Sequence, residues 1–401
     1  MRILMLTPAL PYPPHQGGAL RNFGLIHGLH SAGHEITLLS FADSNGIAAP
    51  LRDLCADIIT VPLPQRTTRQ RLRDLMVSGQ PDLARRLVSD QFRQCLTTLL
   101  QATPFNLVQF EGLEMAGYLL LVRQLQPAAK CCYDAHNAEY QLQRVISEVD
   151  RSTPNRWPTA LYSWVQARRI ARFERAICQQ VDCVLAVSDE DAAALTRFRP
   201  TIAVIPNGIF AENYSNNPEQ LDLGPHVLTF TGKMDYRPNV DAMLWFTADV
   251  LPLIKQRVPD VRLYIVGQKP HARLEALRDS EAVFLTGWVP EIHPFLRATT
   301  VYVAPLRMGS GTRLKILEAM AAGCAVAATS LAAAGLPDDA RQTLKIADTA
   351  AALAQVICNL LQDDRKRQQL GTAAQAAVLK HYDWSVLIPR LLTAYKEIGL
   401  G

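Results

Sequence analysis

This 401-residue sequence predicts an α/β fold of two parallel-sheet domains, and three observations carry the prediction. Short, wholly apolar runs alternate with longer segments whose apolar residues recur at helical spacing. The series stops and restarts once, near position 206. The length exceeds what one hydrophobic core usually supports, so two domains of roughly 200 residues each are expected. Apolar runs that lack alternation are buried on both faces, which is the mark of parallel strands covered by helices.

The chain opens on MRILMLTP, a buried strand, followed by the loop Ala9–Gly18 with its Gly17-Gly18 pair. A helical pattern through Leu20, Phe23, Ile26 and Leu29 ends at Gly33, and Glu35–Ser40 is the second strand. This is a βαβ unit, for which a right-handed crossover is expected. Runs at Ile58–Val61, Leu107–Phe110, Cys131–Tyr133, Cys183–Val187 and Ile202–Ile205 complete the first series. After Pro206-Asn207-Gly208 the polar stretch Ala211–Pro225 intervenes, and runs follow at Val227–Thr231, Val261–Val266, Val283–Leu285, Val301–Ala304 and Ala325–Ala328. The predicted division is 1–205 and 206–381, two Rossmann-like domains facing across a cleft, with a last helix in 382–401. Ligands of open sheets of this kind bind outside the carboxyl ends of the strands.

Composition excludes several classes. About half the residues are apolar and the formal charge is +4, an ordinary enzyme balance rather than that of a nucleic-acid binder. The eight cysteines show no Cys-x-x-Cys and no metal-ligand spacing, so reduced, buried thiols and a cytoplasmic location are expected. The apolar run at the start is too short for a signal peptide. Ala319–Leu336 is uncharged over about the minimum length of a membrane span, but its Ala, Gly, Ser and Thr content divides it into a helix end, a short strand and a loop.

The stretch RMGSGTRLKILEAMAAG, Arg307–Gly323, carries the chemistry. Gly309 and Gly311 let the backbone bend and approach a ligand, and Leu314, Leu317 and Ala321 mark a helix from Thr312 to near Gly323. The first turn of a helix offers unpaired N–H groups to an anion, and Arg313 and Lys315 reinforce that bias. Glu318, about 9 Å further along the axis, suits the two hydroxyls of a ribose whose phosphates sit at the helix start. The stretch fits a nucleoside diphosphate; a surface helix with a solvated Glu–Lys face is the alternative.

The order and spacing of several segments resemble the GT-B glycosyltransferases, and within them family 4, retaining enzymes that use nucleotide-sugar donors. The segments are the Gly17-Gly18 loop, Asp134-Ala-His-Asn-Ala-Glu139, Pro206-Asn-Gly-Ile209, Phe230–Asn239, Tyr264-Ile-Val-Gly267 and Lys315–Gly323, which together span essentially the whole chain. The resemblance implies that Gly17 and Gly18 approach the donor diphosphate and sugar, and that His136 lines the cleft beside the transferred sugar. It implies that Lys233 and Arg237, after Gly232 in the loop following the first strand of the second domain, face the diphosphate. Their spacing is one residue shorter than the commoner family pattern, and Arg313 or Lys315 stand as substitutes.

Ser310, Gly311, Thr312 and Arg313 are placed on the donor, with Glu318 on its ribose. Glu111, in Gln109-Phe-Glu-Gly112, is placed on the acceptor side, with a solvated loop carboxylate as the alternative. The chief departure is Ser310, which stands where the family signature Glu-x7-Glu has its first carboxylate. That substitution raises an alternative function, a GT-B subunit that binds nucleotide but acts as a partner or scaffold.

In the family the leaving diphosphate helps deprotonate the incoming hydroxyl, so cations and positioning matter most. No Asp-x-Asp stands near a strand end, and metal-independent transfer without a cofactor is expected. The donor is expected to be UDP- or GDP-linked and the acceptor a glycan or a lipid-linked hydroxyl. A dehydrogenase is disfavoured by the absence of Gly-x-Gly-x-x-Gly after the first strand. Residues 156–175 mix Trp157 and Trp164 with Arg168, Arg169, Arg172 and Arg175. They read either as an interfacial helix for peripheral membrane contact or as a packed helix with a solvated basic face. The last helix resembles the family's terminal helix, which crosses back to the first domain.

Overall fold

A computed structural model describes residues 1–14, 17–42, 49–144, 157–215, 221–308 and 314–401. The chain divides into two units, Met1–Gly208 with Leu387–Gly401, and Ile209–Val386.

The first unit holds a seven-stranded parallel sheet. Its strands are β1 (Arg2–Thr7), β2 (Glu35–Phe41), β3 (Asp57–Val61), β4 (Leu107–Glu111), β5 (Lys130–Ala135), β6 (Cys183–Ala186) and β7 (Ala203–Val204), in the order β3-β2-β1-β4-β5-β6-β7. The second unit repeats the design with β8 (Val227–Thr231), β9 (Arg262–Val266), β10 (Val283–Gly287), β11 (Val301–Ala304), β12 (Val326–Ala328) and β13 (Lys345–Ile346), in the order β10-β9-β8-β11-β12-β13. The two-residue β13 carries too short an apolar run to be read from sequence. In each sheet the strand order reverses beside the first strand, at β1/β4 and at β8/β11. Such a reversal opens a crevice at the carboxyl ends of those strands.

Central strands are enclosed on both faces: β4, β8, β11 and β12 are buried at every position. Each unit has its own core, one running from Leu4 to Phe198 and the other from Ile209 to Tyr382. The helices that matter for the site are α1 (Gly17–Ser31), α2 (Trp157–Gln180), α3 (Glu212–Ser215), α4 (Arg237–Trp245), α5 (Leu314–Ala321) and α6 (Trp384–Glu397). The later part of α6 seals the first unit with Leu387, Leu391 and Tyr395, all fully buried. Gly28 of α1 is glycine because α6 lies against it: a Cβ there would stand 2.2 Å from Ile388 Cγ1.

The two readings of residues 156–175 separate here. Helix α2 buries Ser163, Gln166, Ile170, Glu174 and Ile177 at intervals of three or four, with Cys178 beside them, so it is packed along one face. Its exposed positions include Leu161, Arg168, Arg172 and Arg175, and the Arg168 guanidinium lies 3.8 Å from the centroid of the Trp164 ring. Arg156 and the side chain of Trp157 lie outside the described residues. Among the described residues no helix is long and apolar enough to cross a membrane.

Candidate active site

In the first unit the site begins with a conflict written into the sheet. Glu111 ends β4 and its register partner on β5 is Asp134, so two carboxylates stand side by side on adjacent strands. Like charges in such a pair repel, and both are fully buried, at 0% exposure. Arg21 resolves half of the conflict. It projects from α1 and grips Asp134 with Nε at 2.7 Å and Nη2 at 2.6 Å, a bidentate fork that is itself 1% exposed. Its remaining nitrogen, Nη1, donates to the carbonyls of Ile205 at 2.8 Å and Pro206 at 3.3 Å, which anchors the chain after β7.

His136 resolves the other half. Its Nε2 stands 3.1 Å from Glu111 Oε2. The loop that carries it is fastened by Glu174 of α2, whose carboxylate accepts from the Tyr133 hydroxyl and from the backbone N–H groups of Glu139 and Tyr140 at 2.9–3.1 Å. Burial shifts the Glu111 carboxyl upward and Asp134 adds to the rise, while His136 opposes both. Burial pulls the His136 imidazolium down, but its hydrogen bond to Glu111 and the charge of Asp134 outweigh that, and the net shift is upward. The Asp134 carboxyl is shifted down, because Arg21 overcomes the cost of burial. Glu111, Asp134 and His136 bring three ligating atoms within 4.8 Å of one another. That set does not fit a cation, because Asp134 is already spent on a guanidinium buried in the same place.

The interior position of Glu111 corrects one expectation: it is the last residue of a buried strand, not a solvated loop carboxylate. Gly17 and Gly18 open α1 and are exposed. A Cβ on Gly18 would stand 3.7 Å from His136 Nδ1, so the glycine loop and the histidine edge meet.

In the second unit the corresponding edge is built on glycine. Gly232 follows β8 with φ +144°, and a Cβ there would fall 2.7 Å from Lys315 Nζ and 2.8 Å from Asn239 Nδ2. Lys315, on the first turn of α5, therefore lies over this turn, donates to Asn239 Oδ1 at 2.7 Å and stands 4.1 Å from the centroid of the Phe230 ring. It is not a surface cation. Asn239 Nδ2 donates in turn to the Lys233 carbonyl at 2.8 Å. The Lys233 ammonium, 43% exposed, has only a loose 3.6 Å approach to Asp235. Arg237 is not in the loop as expected; it is the first residue of α4, exposed, and among the described residues no carboxylate pairs with it. A cation at the positive end of a helix is unfavourable by itself.

Glu318 lies half-buried on α5, one turn beyond Lys315, and its Oε1 accepts from the Tyr214 hydroxyl of α3 at 3.3 Å. Burial shifts its carboxyl upward, with Tyr214 and Lys315 opposing. Tyr214 is steadied by the edge of His293, ring centroids 4.7 Å apart. Ser310, Gly311, Thr312 and Arg313 lie outside the described residues, as does Gly309. Arg307, at the start of that stretch, is committed to Asp241 at 2.9 and 3.1 Å.

Sequence reasoning missed Arg21, Asn22, Gln109, Tyr395, Asn239 and Tyr214. A signal existed for Arg21 and Gln109. The first stands inside an amphipathic helix pattern, the second inside a strand otherwise apolar until its last residue.

Residues 225–363 match the family described as "Glycosyl transferases group 1", and residues 16–208 match the "Glycosyl transferase 4-like domain". The chain belongs to the GT-B glycosyltransferases of the family 4 type. Phosphatidyl-myo-inositol mannosyltransferase of Mycobacterium tuberculosis is 33% identical to this glycosyltransferase-family chain over 214 residues, 49% of this chain and 54% of that protein. The chain thus spans about half the length of the curated relatives it matches. Among solved structures, Anabaena HepE in complex with UDP superposes with a TM-score of 0.68 at 14% identity, over 99% of this chain and 100% of that one. A glycosyltransferase from Rickettsia africae gives 0.67 at 16% identity, over 99% and 98%. At such identities the likeness establishes the fold.

Proposed function

We propose that this chain transfers a sugar from a UDP- or GDP-linked donor to a hydroxyl of a lipid-linked or glycan acceptor, with retention at the anomeric carbon and without a metal ion. The observation that carries the reading is the charge arrangement at the carboxyl edge of the second sheet. Among the described residues Lys233 and Arg237 stand open there with no strong carboxylate partner, and Glu318 lies on α5. Two under-neutralised cations suit a diphosphate, and a carboxylate steadied on one oxygen by Tyr214 suits the adjoining ribose. HepE has been solved in complex with UDP, and the Mycobacterium tuberculosis relative is a phosphatidyl-myo-inositol mannosyltransferase, which supports both halves of the assignment.

In the proposed step the bond between the anomeric carbon and the diphosphate oxygen breaks as the acceptor oxygen bonds to that carbon on the same face. The acceptor proton passes to the departing diphosphate. Lys233 and Arg237 stabilise the charge that develops on it; Ser310, Gly311, Thr312 and Arg313 complete the donor site, and His136 holds the sugar beside Gly17 and Gly18. Cytoplasmic, peripheral action at a membrane surface rests on the exposed Arg168, Arg172 and Arg175 of α2. Among the described side chains of that face Leu161 is the large exposed apolar one, and the attraction proposed is to anionic headgroups.

The test is a screen of UDP- and GDP-sugars for turnover or slow donor hydrolysis. Turnover that survives a chelator supports the whole reading. Tight nucleotide binding with no turnover against any acceptor would instead support the scaffold alternative raised by Ser310. Glu318→Ala should weaken nucleotide binding by about 1.5–3 kcal/mol, the worth of hydrogen bonds to a charged group. Unchanged calorimetric affinity would refute the ribose role.

A further inference from the structure

A chain of buried polar side chains runs to His136, and the sugar-transfer step does not call for it. All five residues of β4 are buried, yet two of them, Gln109 and Glu111, are polar and point the same way. A polar group in such a place costs free energy unless it is fully paired. Here it is paired. The Tyr395 hydroxyl of α6 donates to Gln109 Oε1, and Gln109 Nε2 donates to Glu111 Oε1 at 2.6 Å. Asn22 of α1, with its amide oriented to satisfy both ends, donates to Glu111 Oε2 at 2.8 Å and to the Gly18 carbonyl at 3.2 Å. His136 Nε2 reaches the same Oε2. Glu111 has no exposed atom to offer an acceptor hydroxyl, whereas the His136 side chain is 22% exposed and is the member that looks outward.

We propose that Glu111 is a positioning residue: it takes the Nε2 proton of His136 in a hydrogen bond and thereby commits Nδ1, the nitrogen beside Gly18, to the transferred sugar. The absence of a side chain on Gly18 leaves that edge of the ring open, since a Cβ there would lie 3.7 Å from Nδ1 and 3.8 Å from Cε1. The charged groups around the ring are Glu111 of β4, Asp134 of β5 with an oxygen 4.0 Å from Nε2, Arg21 of α1, and Glu139 on its own loop. The carboxylates of Glu111 and Asp134 favour a second proton on the ring against the opposing pull of burial and of Arg21, and with that proton in place Nδ1–H is a donor. The identity of what Nδ1 meets rests on the sugar-transfer reading; the tautomer and charge are properties of the free protein.

Nitrogen-15 NMR of the donor-free full chain across pH tests this, with the His136 signals assigned by their loss in His136→Gln. Expected are a titration above that of free histidine, an Nε2–H tautomer once the ring is neutral, and a fall in the titration by about one to three pH units in Glu111→Gln. The alkaline decline of kcat/KM for the donor should move down by the same amount. An Nδ1–H tautomer in the wild-type protein, which needs no variant to fold, overturns the proposal, as does a titration that Glu111→Gln leaves in place. Failure of every donor to turn over, with the NMR result as expected, would sink the sugar-transfer reading and leave this inference standing.

Discussion

The carboxyl edges of the two sheets are built on the same strand order and solve opposite electrostatic problems. At the first, Arg21, Asp134, Glu111 and His136 neutralise one another at 2.6–3.1 Å inside the protein. At the second, Lys233 and Arg237 are exposed and under-paired among the described residues, and the close pair of Arg307 with Asp241 takes neither. A self-neutralised cluster gains little from a charged ligand, since its attraction is already used within the fold. An edge with surplus positive charge is where an anion gains most. The first edge therefore spends its charges within the fold and presents one histidine, and the second is the edge proposed for the anion.

That contrast can be broken most severely at Arg21. Arg21→Ala strands Asp134 and Glu111 as neighbouring buried carboxylates, and removing one partner of such a pair costs about 3–5 kcal/mol. Denaturant unfolding should show this loss in the first unit, while calorimetric affinity for a nucleoside diphosphate stays near wild type. A large loss of nucleotide affinity in a still-folded Arg21→Ala protein would mean that the two edges are not independent.

The converse substitution acts on chemistry and spares the fold. Lys233→Ala removes a half-exposed cation with one loose partner, so stability should change by less than about 0.5 kcal/mol. The transition state should lose about 3–4 kcal/mol, the worth of one preorganised contact to developing charge. Steady-state kinetics with the donor identified by the screen would measure it, and a loss confined to KM would place Lys233 on ground-state binding instead.

The smallest expected effect sharpens the picture of Glu318. In the proposed ribose role Glu318 acts as the carboxylate, so nucleotide affinity should be full above its pKa and lost as pH falls through it. The Tyr214 hydroxyl favours the ionised form against the upward pull of burial. Tyr214→Phe therefore raises that pKa further and moves the loss of nucleotide affinity to higher pH. Removal of the hydrogen bond should also cost about 0.5–1.5 kcal/mol at neutral pH. Affinity measured by calorimetry across pH checks both, and superimposable pH profiles would mean that Tyr214 only fills space.

Much of the second edge could be read directly from residue order. Gly232, Lys233 and Glu318 follow strands or lie along one helix, where spacing converts to geometry through a fixed rise per residue. Lys315 shows the limit of that conversion. Its place in the sequence suggests a surface cation, yet the missing side chain of Gly232 lets it lie over the turn and donate to Asn239, 76 residues away. The first edge was scarcely legible, because Arg21 and Asp134 are separated by 113 residues and Tyr395 and Gln109 by 286.

By itself the sequence determined the local half of this protein: which segments are strands, which are helices, and that the strands are parallel and covered on both faces. Periodicity and glycine placement report the immediate surroundings of each residue, and those are what a short window contains. Tertiary structure alone decided which charges meet. The fate of Glu111, a solvated loop acid or the buried partner of His136, depends on β4 and β5 lying in register and on α1 and α6 closing over them. Coulomb and desolvation energies depend on distance and burial in space, and neither is set by position along the chain.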